Sequence, residues 1–184
     1  MTVSTGEPLS NTAGHGIPSG INADEAYITM VTSDNYVVGA LVLGHSLRAT
    51  GTRRPLVCMC TDGVSPSSLA ALADVFDALP RVPVIDSQDR ERLAILGRPE
   101  LGPTLTKVNV WALQGIRKAV FLDADMLVLR AVDDLFGRPE LSACADIGWP
   151  DCFNSGLFVC CPSLETFRAL LRTAREHGSF DGTL

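Results

Sequence analysis

Two aspartates follow a hydrophobic run near the middle of the chain, in VFLDADMLVL at residues 120–129. Asp123 and Asp125 are one residue apart, and an extended backbone would place both carboxylates on the same side of the chain. Buried carboxylates are normally paired with a cation or bound to a metal. Their oxygens suit Mg²⁺ or Mn²⁺, which at such sparse sites is usually shared with a phosphate. The motif therefore predicts a divalent metal site for a phosphorylated ligand.

Three interpretations of this Asp-Ala-Asp motif stay open from the residues alone. The aspartates could be simple turn residues, the nucleophile motif of an aspartyl-phosphate phosphatase, or the metal motif of a nucleotide-sugar glycosyltransferase. The phosphatase motif has Thr or Val where this chain has Leu127. In the glycosyltransferases, the metal neutralises charge that develops on the leaving nucleotide diphosphate.

The elements that must position the motif alternate between strand and helix through the first two-thirds of the chain. The predicted strands are 26–31, 55–61, 82–86, 118–122, 141–146 and 155–161, and the predicted helices are 36–50, 65–76, 104–115 and 164–178. This order predicts an α/β fold with a mostly parallel sheet flanked by helices. Such sheets bind ligands beyond the carboxyl ends of their strands, which is where Asp123 lies.

Local signals place several helix ends. Ser65 followed by Pro66 predicts a helix N-terminus, and Ser163 predicts another. Gly115 predicts a helix end at the C′ position. Gly39 and Gly44 weaken the helix predicted over 36–50, because glycine is a poor helix former.

Composition favours one domain with a substantial core, since 46% of the 184 residues are hydrophobic. Residues 1–22 are rich in small and polar residues and predict a disordered tail, which leaves 23–184 as the folded domain. The net charge of −6 and the scattered basic residues argue against a nucleic-acid partner. No apolar run reaches the ~20 residues of a membrane helix, so no membrane association is expected.

The six cysteines predict reduced thiols in a cytoplasmic protein, because the opening residues lack the pattern of a secretory signal. Cys58 and Cys60 alternate along a predicted strand, and Cys160 and Cys161 are adjacent. The three histidines are far apart in sequence, so buried apolar cysteines are a better interpretation than a zinc site.

Four segments in the same order resemble the glycogenin family of glycosyltransferase family 8. They are ALVLGHSLRATGTRRPLVCMCT, RPELGPTLTKVNVWAL, VFLDADMLVLRAVDDLF and GWPDCFNSGLFVCCPSLETF, within a resemblance from Asp24 to Gly182. The family has the GT-A fold, whose sheet is Rossmann-like. The resemblance implies a retaining glucosyltransferase that transfers glucose from UDP-glucose to its own tyrosine and to the growing glucan that primes glycogen synthesis.

The resemblance also implies a set of site residues. Asp123 and Asp125 match the metal ligands, with Mn²⁺ or Mg²⁺ as cofactor, and Ala124 lies against the donor ribose. Lys107 and Asp181 match residues near the transferred sugar and are the implied catalytic residues. The other implied donor-binding positions are Met30, Thr32, Ser33 and Tyr36 for uridine, Arg98 for phosphate, and Asn154 and Ser155 for glucose hydroxyls.

These positions also have ordinary structural interpretations. Tyr36 could be a core aromatic residue, and Arg98 a solvated loop charge. Asn154 with Ser155 could be a turn. Lys107, expected at a helix start where a cation is disfavoured, fits a role facing phosphate slightly better than a structural one.

The family resemblance leads us to expect an incomplete domain. In the family, the SFDG segment continues into an Asp-Gln-Gly motif, but here only Thr183 and Leu184 follow it. The expected alternative to an active enzyme is a catalytically inactive, truncated relative that binds UDP-sugar weakly or pairs with a complete subunit. The implied partners are a second copy in a homodimer and glycogen synthase.

Overall fold

The protein is an α/β structure with one five-stranded sheet, and the computed structural model describes residues 23–85, 99–148 and 152–177. The strands are β1 Ala23–Val31, β2 Leu56–Cys60, β3 Ile116–Leu122, β4 Ser142–Ala145 and β5 Phe153–Cys160. The helices are α1 Val37–Ala49, α2 Pro66–Ala73 and α3 Leu164–His177. Three 3-10 segments, Asp34–Tyr36, Pro99–Ala112 and Asp133–Gly137, complete the described elements.

The strand order is β2-β1-β3-β5-β4. β1 pairs in parallel with both β2 and β3, whereas β5 is antiparallel to β3 and to β4. The predicted α/β class is therefore confirmed, but the described sheet is mixed rather than mostly parallel. Because β5 runs against β3, its amino end lies beside the carboxyl end of β3, at the edge where β1 also ends.

Two hydrophobic clusters cover the two faces of the sheet. On one face, α1, α2 and Phe136 pack against alternate residues of β1 and β2, such as Tyr27 and Cys58. On the other face, Trp111 and α3 pack against residues such as Phe121. This alternation follows from the two-residue period of a strand, and it buries the central strands on both sides.

Two predicted helix starts are confirmed by their caps. The Ser65 hydroxyl accepts a hydrogen bond from the Ser68 N–H at 3.3 Å, with Pro66 in the first turn of α2. The Ser163 hydroxyl accepts from the Thr166 N–H at 3.3 Å at the start of α3. In both cases a hydroxyl satisfies one of the free N–H groups of a helix N-terminus.

The strand predicted over 82–86 is wrong in its position. The backbone that bonds to β2 is the preceding stretch, 77–82, with Asp77 donating to the Leu56 carbonyl at 2.8 Å and Val82 to the Cys60 carbonyl at 2.9 Å. Pro80 and Pro83 have no N–H to donate, so this edge forms only isolated bridges to β2. Sequence periodicity located the apolar run but missed the pairing.

The helix predicted over 104–115 is also different, since the chain forms a 3-10 segment that begins earlier, at Pro99, and ends at Ala112. Gly115 is therefore not a helix C′ residue; it has φ 86° in the turn that enters β3. Residues 105–113 are all buried, including the β-branched Val108 and Val110, so packing rather than helix propensity determines the local backbone. Lys107 consequently does not begin a helix.

The cysteine prediction is confirmed in part. All six are free thiols, and Cys58, Cys60 and Cys160 are buried, but Cys144 and Cys152 are exposed. Within the described ranges, no helix is long and apolar enough to cross a membrane. The predicted tail at 1–22 and the predicted helix end at Gly178 lie outside the described residues.

A hydrogen-bonded cluster joins β1, the loop that precedes β2 and the segment Asp133–Gly137, away from the Asp-Ala-Asp motif. Asp133 accepts hydrogen bonds from the Tyr27 hydroxyl at 2.6 Å, the Thr52 hydroxyl at 3.0 Å and the Arg54 guanidinium at 2.5 Å. Arg54 also pairs with Glu25 at 2.8 Å. Burial raises the pKa of Asp133, but these donors outweigh burial and hold the pKa below its usual range. These contacts give Asp133 a structural role.

Replacing Asp133 with Asn should destabilise the protein at neutral pH by about 1–2 kcal/mol, because Arg54 loses one of its two carboxylate partners and keeps only Glu25. The loss should fall short of that for a fully buried pair, since the Asp133 side chain is 34% exposed. The folded-state pKa of Asp133 is depressed, so its stabilisation is present above the unfolded-state pKa and disappears as pH falls through the folded-state value. Urea unfolding of the parent and of Asp133→Asn, at pH 7 and in acid, measures this effect. The difference between their free energies of unfolding should be smaller in acid than at pH 7.

Asp134→Asn is the matched control, because Asp134 is the adjacent carboxylate and is exposed. It should change the free energy of unfolding by less than about 0.5 kcal/mol. Equal losses in the two variants, or a loss in Asp133→Asn that persists unchanged in acid, would contradict the assignment.

Candidate functional site

Asp123 and Asp125 lie on a turn at the carboxyl end of β3. The Asp123 N–H donates to the Gly156 carbonyl of β5 at 2.8 Å, and the Asp123 carbonyl accepts from the Met126 N–H at 3.1 Å. The extended backbone predicted for the motif is therefore replaced by a turn. β5 fixes where the turn begins, so the position of Asp123 depends on the sheet and not on a flexible loop.

Lys107 reaches the Asp123 carboxylate from the segment Pro99–Ala112. Its Nζ donates to Asp123 Oδ2 at 2.9 Å and approaches Ser155 Oγ at 3.3 Å and the Ser155 carbonyl at 3.4 Å. The ammonium also lies 5.7 Å from the centre of the Phe121 ring. Lys107 is 8% exposed, so its charge is almost withdrawn from water, and the aspartate and the serine oxygens replace the lost hydration.

Burial raises the pKa of Asp123, and the positive charge and hydrogen bond of Lys107 lower it again. The charge on Asp125 adds a smaller upward effect, and the balance leaves the pKa above its usual range. Asp125 itself is exposed. The two carboxylates thus interact although one faces protein and the other faces solvent.

The chemistry of these side chains fits a hard divalent cation. Asp123 and Asp125 supply carboxylate oxygens from a single turn, and a Cβ on Gly156 would come within 3.4 Å of Asp123 Oδ2. The missing side chain at Gly156 therefore keeps space beside that oxygen. In the part of the chain that the structure describes, three or more acidic, histidine or cysteine side chains do not cluster as a metal site. Further ligands would have to come from a bound anion or from residues outside that part.

The predicted uridine segment begins at the end of β1, next to β3. Met30 and Thr32 are half-buried, and the Thr32 carbonyl accepts from the Thr61 hydroxyl at 2.7 Å. Ser33 is half-buried and precedes the 3-10 turn that ends at Tyr36. Tyr36 is 51% exposed, so its interpretation as a core aromatic residue is wrong. An exposed aromatic ring beside the ends of β1 and β3 is free to contact a ligand.

Asn154 and Ser155 come to the same edge from the amino end of β5. Ser155 is buried against Lys107, whereas Asn154 is exposed and its Oδ1 accepts from the Gly156 N–H at 2.8 Å. They lie in a strand, which corrects the interpretation of the pair as a simple turn. The Asn154 side-chain amide remains on the surface, next in sequence to Ser155, which contacts the buried Lys107.

Three glycines that sequence reasoning did not assign shape this edge. A Cβ on Gly39 would lie 2.6 Å from the Ala124 carbonyl oxygen, and one on Gly63 would lie 2.5 Å from the Thr32 carbonyl oxygen. Gly156, described above, borders Asp123. The only sequence signal was the presence of glycine inside a helical pattern at Gly39; nothing local marked the contacts of the other two.

Two predicted site residues, Arg98 and Asp181, lie outside the described residues. The structure brings the remaining predicted residues to one edge of the sheet. They are Met30, Thr32, Ser33, Tyr36, Lys107, Asp123, Ala124, Asp125, Asn154 and Ser155. Their roles in binding and transfer stay predictions.

Comparison with known proteins identifies close relatives. The family model for glycosyl transferase family 8 matches residues 27–141. Glycogenin-1 of Homo sapiens is 54% identical over 86% of this chain and 45% of that protein. Glycogenin-1 of Oryctolagus cuniculus is 53% identical over 86% of this chain and 48% of that protein. The chain thus spans about half the length of these relatives.

Solved structures share the fold at low sequence identity. The galactosyltransferase LgtC, in complex with donor and acceptor sugar analogues, matches with a TM-score of 0.61 and 18% identity over 85% of this chain and 68% of that chain. Apo GlyE of Streptococcus pneumoniae TIGR4 matches with a TM-score of 0.61 and 15% identity over 84% of this chain and 39% of that chain. These likenesses confirm the predicted glycosyltransferase fold.

Replacing Lys107 with Met should raise the pKa of Asp123 further above its usual range. Burial of Asp123 would persist while the charge and hydrogen bond that oppose it would be lost. Carbon-13 NMR titration of the aspartate carboxyl groups in the metal-free protein measures this shift directly.

Lys118→Met provides the control, because Lys118 donates to the Arg138 carbonyl and lies toward the opposite end of β3. It should leave the pKa of Asp123 unchanged. An Asp123 titration that is identical in Lys107→Met and the parent protein would show that the ion pair does not form in solution.

Proposed function

This chain belongs to glycosyl transferase family 8, and we propose that it forms the donor-binding part of a glycogenin-type retaining glucosyltransferase. The proposed reaction transfers glucose from UDP-glucose to a protein tyrosine and then to the growing glucan that primes glycogen synthesis. The proposal rests on the 54% identity to a human glycogenin together with the arrangement of charged groups at one sheet edge. Because the chain spans less than half of that relative, the activity is proposed for the protein that contains this domain.

The observation that carries the proposal is the ion pair of Lys107 with Asp123 at the carboxyl end of β3. A nucleotide-sugar transferase must hold a diphosphate, which is strongly negative, beside a sugar whose bond to phosphate is breaking. Asp123 and Asp125 supply hard oxygen ligands, and Lys107 supplies a fixed positive charge next to them. A site of this kind needs both the oxygen ligands and the positive charge, and Lys107 Nζ lies 2.9 Å from Asp123 Oδ2.

Each described residue then has a proposed task. The segment from Met30 to Tyr36 binds uridine, with the exposed Tyr36 ring offering a stacking surface. Asp123 and Asp125 hold Mn²⁺ or Mg²⁺, which when bound would neutralise charge on the departing diphosphate. Lys107 orients Asp123 and the donor phosphate or sugar, and Asn154 and Ser155 orient the glucose hydroxyls. Ala124 lies against the ribose.

Two residues outside the described part complete the proposal. Arg98 is proposed to contact the donor phosphate, and Asp181, with Lys107, to act near the transferred sugar. Asp181 has the residue type needed to accept hydrogen bonds from sugar hydroxyls.

The proposed setting follows the family. We infer a cytoplasmic protein with UDP-glucose as donor, a second copy of the chain as partner in a homodimer, and glycogen synthase as a further partner. No nucleic acid or membrane is part of this proposal. The inactive alternative, a relative that binds UDP-sugar weakly or pairs with a complete subunit, is not favoured by the close likeness to several glycogenins.

The proposal predicts that the protein binds UDP in the presence of Mn²⁺, more tightly than ADP or GDP, and that binding weakens in EDTA. Asp125→Asn should weaken the Mn²⁺-dependent binding of UDP roughly tenfold or more, because one anionic ligand of the cation is lost. Isothermal titration calorimetry with each nucleotide measures both effects.

Asp134→Asn serves as the matched control, since it removes an exposed carboxylate outside the site. It should bind UDP as the parent protein does. Equal affinity for UDP in Mn²⁺ and in EDTA would contradict the proposed metal-assisted donor site. An Asp125→Asn protein that binds UDP with Mn²⁺ as tightly as the parent would contradict it too.

A further inference from the structure

Helix α1 contains two interior glycines, Gly39 and Gly44, which both lower its helix propensity. The structure gives them different surroundings. A Cβ on Gly44 would meet side chains, Val75 at 2.6 Å and Phe76 at 3.0 Å. A Cβ on Gly39 would instead meet backbone, the Ala124 carbonyl oxygen at 2.6 Å. Gly44 thus permits core packing, whereas Gly39 permits close contact with the turn that carries the two aspartates.

That turn is held against α1 at a second point. The Val128 N–H donates to the Ser46 hydroxyl at 3.0 Å, while Ser46 itself donates to the Leu43 carbonyl at 2.8 Å. The stretch from Ala124 to Val128 therefore follows α1 from Gly39 to Ser46. The side chains of Met126 and Val128 pack on the hydrophobic cluster shared with α1. The helix thereby fixes the path along which the chain leaves Asp123 and Asp125.

We propose that Gly39 is a positioning residue for the donor site. Because Gly39 has no side chain, the turn at Asp123–Asp125 can contact α1 directly, and this contact fixes the position of the turn relative to the uridine segment. This inference rests on the proposed function for its consequence in binding. Tyr36 ends the uridine segment directly before α1, so Gly39 lies three residues from that segment and in contact with the metal-binding turn. A single helical turn thus connects the two halves of the site.

An alanine at Gly39 would have to displace the turn. Its Cβ would be about 0.8 Å short of an ordinary contact distance of 3.4 Å to the Ala124 carbonyl oxygen, and a backbone group cannot rotate away as a side chain can. Displacements near 1 Å in a reacting site cost up to about a hundredfold. Alanine is also the better helix former, so a binding defect would not come from a weaker α1.

The test compares Gly39→Ala with Gly44→Ala, two identical substitutions in one helix. Gly39→Ala should stay folded in urea unfolding, shift the amide NMR signals of Ala124, Asp125 and Met126, and weaken Mn²⁺-dependent UDP binding at least tenfold. Its binding of uridine without metal should stay near the parent value. Gly44→Ala should be less stable, yet its folded form should keep the parent affinity for Mn²⁺ and UDP.

The result that overturns the inference is a Gly39→Ala protein with parent-like signals for residues 124–126 and parent-like affinity. An equal affinity loss in folded Gly44→Ala would also overturn it, because the effect would then be general to α1. If the parent protein binds no UDP, the proposed function fails instead. The NMR signals of the turn then decide the positioning role by themselves, with unchanged signals counting against it.

Discussion

A charged group at the end of a buried strand must have a partner, and this requirement organises the site. Asp123 follows a strand whose residues from Ala119 to Leu122 are all buried. Burial raises the pKa of its carboxyl, and only the adjacent Lys107 opposes that effect strongly. Lys107 in turn depends on Asp123 and on the oxygens of Ser155. The pair therefore links the segment Pro99–Ala112 to the end of β3 and to β5, which are already joined by their backbone ladder.

The mixed strand directions of the sheet bring Asp123 and Ser155 to the same edge. Parallel pairing brings the carboxyl ends of β1 and β3 to one edge, which places Ser33 and Tyr36 near Asp123. An antiparallel β5 then begins at that edge, with Leu157 opposite Leu122. Ser155 and Gly156 consequently reach Asp123 from the other side. A parallel β5 would end at this edge instead, and the Asn-Ser-Gly stretch would lie at the far side of the sheet.

The sequence was informative where the signal is local. Alternation, capping serines and the apolar run before Asp123 predicted most strands, two helix starts and the position of the motif. The sequence failed to predict the backbone where tertiary contacts determine it. In the segment 99–112 the pattern predicted an α-helix, but residues 105 to 113 are nine consecutive buried residues whose packing determines the conformation instead. The pairing of 77–82 with β2 was missed for a similar reason, since Pro80 and the adjacent Pro83 disguise a stretch that bonds to β2 through alternate backbone groups. The spacing of Asp123 and Asp125 predicted a metal site by itself, but the other site residues came from the family resemblance, because spacing alone left Asn154 and Tyr36 with structural interpretations.

Close backbone contacts were the part of the site least accessible to sequence reasoning. A glycine in a helix is usually taken as a weakness, yet at Gly39 in α1 the absent Cβ allows a carbonyl oxygen to lie 2.6 Å from where that atom would be. Gly63, in the turn between β2 and α2, allows the same kind of approach at 2.5 Å. Each carbonyl belongs to a segment with a proposed role in donor binding, Ala124 in the acidic turn and Thr32 in the uridine segment. A separate hydrogen-bonded cluster, that of Asp133 with Tyr27 and Arg54, links β1 to the loop before β2. The two groups of contacts share no side chain, so Gly39 can weaken α1 locally beside the acidic turn without affecting the contacts that Asp133 makes with β1.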